Sequence, residues 1–162
     1  MIPDPLHPAV VHFPIVLMFF LPILALGSLW AIRRHGVRPV TAWSVPVIAS
    51  ALLVASATVS LKTGEAQEER VESRVAEAVV KSHEEAAEQF LVASGGVFVL
   101  LVLGLAATRV GSAARILGTA AALALVVAGY RVGHTGGRIV YGAPGQSGLM
   151  TAPAGQTVDD DE

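Results

Sequence analysis

The sequence predicts an all-α membrane protein: a four-transmembrane-helix bundle with an outer amphipathic connector helix. Three observations carry that fold class. Hydrophobic residues make up 53% of the chain and mean hydropathy is +0.62, above the balance of a soluble globule. Charged residues are only 15% and are clustered, so that long charge-free stretches separate them. Three of those stretches reach the roughly 20 apolar residues that a helix needs to cross a bilayer, and a fourth comes close.

The first segment runs from Phe13 to Ile32 and ends at Arg33 and Arg34. No basic region precedes it and it is as long as a true span, so it is expected to remain in the mature protein rather than to act as a cleaved signal. Pro22 lies inside it and should kink the helix by removing a backbone donor. The second segment, Val40 to Leu61, lies between Arg38 and Lys62, and the third, Phe90 to Thr108, between Glu88 and Arg109. The fourth, Ile116 to Tyr130, is shorter and spans if Arg115 and Arg131 reach outward to the two interfaces. Its small residues, among them Gly118, Ala121, Ala122 and Gly129, suit close helix packing in lipid.

Between the second and third spans, Val71, Val75, Val79, Ser82, Ala86 and Phe90 recur at three- and four-residue spacing and predict the connector helix. Residues 143–162 end in Asp159-Asp160-Asp161-Glu162 and read as a disordered acidic tail, which leaves 1–142 as the membrane domain. The loops after the first and third spans carry five basic residues (Arg33, Arg34, Arg38, Arg109, Arg115) and no acid, whereas the stretch from Lys62 to Glu88 carries four basic and eight acidic ones. Basic loops stay in the cytoplasm, so both termini and the connector are expected outside.

Composition also excludes chemistries. The chain has no cysteine, which rules out disulfides, thiolate metal sites and covalent c-type haem attachment. Its net charge of −2, without a basic tract, argues against nucleic acid. No acidic residue or lysine lies deep within a span, so a proton or ion relay through the bilayer has no visible carrier. Nucleophile-elbow, zinc-protease and paired-carboxylate patterns do not occur.

Histidine is the chemical signal that remains. His7 and His12 precede the first span, His83 precedes the third and His134 follows the fourth, so all four are expected at one membrane face; His35 stands apart among arginines. Imidazole ligates haem iron, copper and zinc, and facing helices of a bundle are a common way to build such sites. His7, His12, His83 and His134 are therefore the candidate cofactor-binding or metal-binding residues. His7 and His12 diverge by about 140° on an ideal helix and point to different partners. The glycines of Gly133-His134-Thr135-Gly136-Gly137-Arg138 are expected to end the fourth helix and to let the backbone approach a ligand or another helix closely.

Leu6-His7-Pro8-Ala9-Val10-Val11-His12-Phe13-Pro14-Ile15 resembles the opening of DUF2231, a bacterial family of small membrane proteins. Thr63-Gly64-Glu65-Ala66 and the closing Gly133-His134-Thr135-Gly136-Gly137-Arg138-Ile139-Val140-Tyr141-Gly142 resemble later segments of the same family. The family's tail often continues with His-Gly, where this chain has Ala143-Pro144. The resemblance implies a four-helix domain in a bacterial inner membrane, surrounded by lipid. Relatives joined to Rieske-type iron–sulfur domains imply a redox setting.

Three functions follow as expectations. The first is a module binding one b-type haem near the outer face, exchanging electrons with a respiratory redox protein or quinone. The second is a copper- or zinc-binding protein using the same histidines. The third is a cofactor-free accessory subunit that binds a partner. Each is favoured over a stand-alone enzyme.

Overall fold

The computed structural model describes residues 7–66 and 76–142. Among them are helices α1 (His7–Val10), α2 (His12–His35), α3 (Pro39–Glu65), α4 (Glu77–Leu103) and α5 (Arg109–Tyr141), and no strand. α1 and α2 together make one span, interrupted at Val11. Pro14 explains the interruption, because it has no N–H to offer the carbonyl of Val10 one turn earlier. Pro22 is buried inside α2, whose helical run is unbroken from His12 to His35. The four spans are long and apolar enough to cross a membrane, as expected.

The chain forms two hairpins, α2 with α3 and α4 with α5, which close on each other through α3–α4 and α2–α5 contacts. α2 and α4 are thus diagonal neighbours across the bundle. The turns at 36–38 and 104–108, with Arg33, Arg34, Arg38 and Arg109 all exposed, mark one end of the bundle, here the arginine end. His7, the last turn of α3, the first turns of α4 and the last turns of α5 mark the histidine end. α4 and α5, of 27 and 33 residues, are about 40 and 50 Å long at 1.5 Å per residue. The hydrocarbon core is only ~30 Å thick, so both helices extend beyond it.

Met18, Leu21 and Ala25 of α2 meet Trp43, Leu53 and Ala57 of α3, Phe90, Val97 and Leu101 of α4, and Ala122 and Leu125 of α5 in the core. The outward surface is equally apolar: Phe13, Phe19, Ile23, Ile48, Val92 and Val127 are exposed. Hydroxyls lie inside instead, on Ser28, Ser50, Ser94 and Thr119. Lipid tails are as apolar as leucine, so helices in a membrane associate through small side chains and hydroxyl hydrogen bonds rather than through hydrophobicity. Ser28 Oγ donates across to the Ala42 carbonyl of α3 at 2.8 Å, whereas Ser94 Oγ is satisfied within α4 by the Phe90 carbonyl at 2.8 Å.

The fourth span departs most from its sequence reading. α5 begins at Arg109, seven residues before the expected Ile116, and Thr108 caps it by accepting from the Gly111 amide at 3.2 Å. Arg115 does not reach outward. It is 6% exposed and its guanidinium turns onto the end of α4, donating to the carbonyls of Gly104 (2.6 Å) and Ala106 (3.3 Å) and to Ser112 Oγ (2.9 Å). The last carbonyls of a helix lack intrahelical partners, and a buried cation with planar donors satisfies them. Trp43 Nε1 does the same for the Leu101 carbonyl at 2.8 Å. Gly104 makes this junction possible, since a Cβ there would run into the Trp43 indole and the Arg115 stem.

At the other end α5 runs through Gly133, Gly136 and Gly137 and stops at Tyr141, with Gly142 at φ 73°. Those glycines therefore do not terminate the helix. The expected connector helix is likewise not separate: from Glu77 onward it is the first part of α4. Its stripe turns inward, with Phe90 buried and Val79, Ser82 and Ala86 half-buried, while Glu77, Lys81, Glu85 and Glu88 face out. Val71, Val75 and the acidic tail lie outside the described residues.

Candidate functional site

Two histidines meet at the histidine end. His7 starts α1, where the following Pro8 suits the first turn because the N–H it lacks would have no intrahelical partner there. Its half-buried ring turns toward α3. His7 Nδ1 lies 2.8 Å from the Ser60 carbonyl and 3.4 Å from Thr63 Oγ1. A carbonyl only accepts, so Nδ1 carries the proton and donates. Ser60, Thr63 and Gly64 share one face of α3 by their three- and four-residue spacing. Gly64 gives the ring its room: a Cβ at that position would stand 3.2 Å from His7 Cε1.

His83 is half-buried on α4 and faces α5. Its Nδ1 is 3.1 Å from Thr135 Oγ1. The Thr135 hydroxyl in turn lies 3.1 Å from the Arg131 carbonyl and 3.0 Å from the Val132 carbonyl of its own helix. Those carbonyls take the hydroxyl proton, so the oxygen accepts from His83 Nδ1–H. Gly136 again makes the space, since a Cβ there would be 3.1 Å from His83 Cε1.

The two imidazoles come together across the bundle. Their centroids are 6.4 Å apart and the ring planes stand at 81°. Because α1–α2 and α4 are diagonal, this contact lies over the mouth of the bundle rather than on its lipid-facing side. It sits about 10 Å along α4 from Phe90, where the apolar part of that span begins. Both Nδ1 atoms are committed to protein acceptors, and no hydrogen bond to either Nε2 is present among the described residues. The Ser60 hydroxyl, in a residue 7% exposed, also lacks a partner among the described residues. The mouth therefore holds two nitrogen lone pairs and one buried hydroxyl that no other described residue engages.

The other candidate histidines are placed differently. His12 is exposed one helical turn and more beyond His7, as their divergence on the helix required. His134 is exposed on α5 and stacks on Tyr130 one turn earlier, with centroids at 6.1 Å and planes at 17°. His35 is exposed at the arginine end, edge-on to Trp30 at 4.4 Å. Among the described residues no three His, Asp or Glu side chains are grouped so as to hold a metal ion.

The supporting residues Ser60, Thr63, Gly64, Thr135 and Gly136 were absent from the candidate histidine set. The available signal was that they lie within or beside the segments carrying the family resemblance. Those segments, about 50 residues or more apart in the chain, converge on this mouth. The family model described as a predicted membrane protein, DUF2231, matches residues 3–146, which include all of them. The chain belongs to the DUF2231 family. No curated protein and no solved structure matches it. Within this DUF2231 chain, the opening segment supplies His7, the segment after the second span supplies Thr63 and Gly64, and the closing segment supplies Thr135 and Gly136. His83, which stands in none of the three, completes the pair.

Proposed function

We propose that this DUF2231 chain is a membrane redox module that takes one b-type haem at the histidine end, with His7 and His83 as the two axial ligands. The observation that carries this reading is the facing pair of imidazoles, 6.4 Å apart, each fixed through Nδ1. Two nitrogens at about 2.0–2.1 Å from one metal place their ring centroids roughly 6 Å apart. A second hydrogen bond from the distal ring nitrogen is the usual support of a ligating histidine. The number of ligands favours haem over zinc or copper as a resident group. Haem iron asks the protein for two axial nitrogens at most, whereas a zinc site asks for three or four side chains. Bound there, haem supplies one-electron transfer. The chain's own part is to hold the axial nitrogens, orient them, and keep the lower side of the site dry through Phe90, Met18 and Leu125.

The setting agrees with an exchange of electrons with a redox protein or quinone. The site lies beyond the apolar part of the spans, where a soluble partner and the headgroup region both have access. The exposed Arg33, Arg34, Arg38 and Arg109 at the opposite end support a cytoplasmic position for that end and an outer position for the site in a bacterial inner membrane.

An optical spectrum of the detergent-purified protein, oxidised and then reduced with dithionite, tests the reading. A Soret band with α and β bands that sharpen on reduction is expected. Substituting His7 or His83 by Ala should abolish the six-coordinate spectrum, while H12A and H134A should leave it unchanged. A colourless protein made with ample haem would overturn the haem assignment, and metal analysis would then separate a copper or zinc site from a cofactor-free accessory subunit.

A further inference from the structure

The two histidines are held in the same manner by the two hairpins. In the first, His7 lies against Thr63 and Gly64 of α3; in the second, His83 lies against Thr135 and Gly136 of α5. In each, Nδ1 faces a threonine hydroxyl, at 3.4 and 3.1 Å. In each, the residue after that threonine is a glycine whose added Cβ would press on Cε1, at 3.2 and 3.1 Å. The domain thus repeats one unit: a histidine near the start of a hairpin's first helix and a Thr-Gly pair near the end of its second. The partners are 56 and 52 residues apart, with dissimilar apolar sequence between them, so the repeat is visible in space and not in the residue pattern.

We infer that Thr63-Gly64 and Thr135-Gly136 are the positioning residues of the paired-histidine centre, holding each imidazole as its Nδ1–H tautomer and turning both Nε2 lone pairs over to the bound group. This rests on the reading of His7 and His83 as ligands. The hydrogen-bond directions supply the argument. In the first unit the Ser60 carbonyl accepts from His7 Nδ1–H at 2.8 Å and from the Thr63 hydroxyl at 3.0 Å, so the threonine presents a lone pair to the ring. In the second unit the Thr135 oxygen takes the corresponding place, 3.1 Å from His83 Nδ1, and the Val132 backbone adds a hydrogen bond to the imidazole. Which nitrogen of a histidine can act as ligand is decided by the hydrogen bond the other one makes. The glycines matter because a ring can lie edge-on against a helix only where no Cβ projects.

The test reads the tautomer directly. The full chain is labelled with ring-15N histidine, in an H12Q/H35Q/H134Q background that leaves His7 and His83, and is kept free of haem. Ring 15N shifts at a pH where the imidazoles are neutral are expected to show protonated Nδ1 and bare Nε2 for both residues. T135V should move His83 toward the Nε2–H form and leave His7 as it was, and T135S should restore it. Nε2–H in the wild-type background for either residue, or no change of His83 in T135V, overturns the inference. The ligand reading fails separately. Nδ1–H tautomers in a protein that stays colourless with haem supplied keep the positioning role and remove haem. A protein whose haem-loaded midpoint potential and haem-free His83 tautomer both ignore T135V keeps the ligands and removes the positioning role.

Discussion

Replacing Arg115 by Met removes a buried guanidinium whose three hydrogen bonds end on Gly104, Ala106 and Ser112. The three are not equivalent. Ala106 and Ser112 are exposed and recover water or headgroup partners, but Gly104 is buried and its carbonyl is left without a donor. An unsatisfied buried acceptor costs about 1–3 kcal/mol. Loss of a cation from the C-terminal turn of α4 adds roughly 0.3–1 kcal/mol. Release of the charge from its buried position offsets part of this. The net expectation is a destabilisation of about 2 kcal/mol, with R115K recovering some of it through a single ammonium donor. R109M is the control, since Arg109 is exposed and such changes stay within about 0.5 kcal/mol. Reversible unfolding by SDS in mixed micelles, followed through the fluorescence of Trp30 and the buried Trp43, measures the difference. A value for R115M within about 0.5 kcal/mol of wild type would refute the view that this arginine closes the end of α4.

Other perturbations probe the mouth, the core and the orientation. G136A brings a methyl group to 3.1 Å from His83 Cε1 and should weaken haem binding by roughly 10- to 100-fold in a titration, the range found when the support of a ligand is disturbed. G137A, one residue on and facing open space, should leave binding intact and stabilise α5 by up to about 1 kcal/mol. Ser50 is fully buried in α3 with no partner for its hydroxyl among the described residues, so S50A should be neutral or stabilising by about 1 kcal/mol in the same unfolding assay. Reporter fusions placed after Gly142 and within the turn at 104–108 should report opposite sides of the membrane, the former outside; the reverse pattern refutes the orientation read from Arg33, Arg34, Arg38 and Arg109.

Much of the molecule was legible before any coordinates. Four apolar stretches became four spans because a backbone in lipid must satisfy its own hydrogen bonds, and a helix does so within one segment. Charges bounded those spans well where they ended in water, as at Arg33 and Lys62. They misplaced α5 because Arg115, which looks like an interfacial residue in sequence, found its partners inside, on carbonyls that α4 leaves unpaired. The glycines at 133–137 suggested a helix end by their local propensity, and tertiary contact overrode it: at Gly136 the helix continues so that His83 can lie against it.

The histidines divide along the same line. Their gathering toward one face was readable from topology alone, since two spans separate His12 from His83 and two more separate His83 from His134, and an even number of crossings returns the chain to the same side. Which two of them meet was not. That depends on the rotation of each helix about its axis, set by packing of Met18, Phe90 and Leu125 and by two threonines and two glycines on other helices. The sequence by itself therefore determined the solvent and the number of spans. The tertiary structure decided which imidazoles face each other and which nitrogen of each is hydrogen-bonded, because a hydrogen bond between residues more than 50 positions apart exists only once the helices are packed.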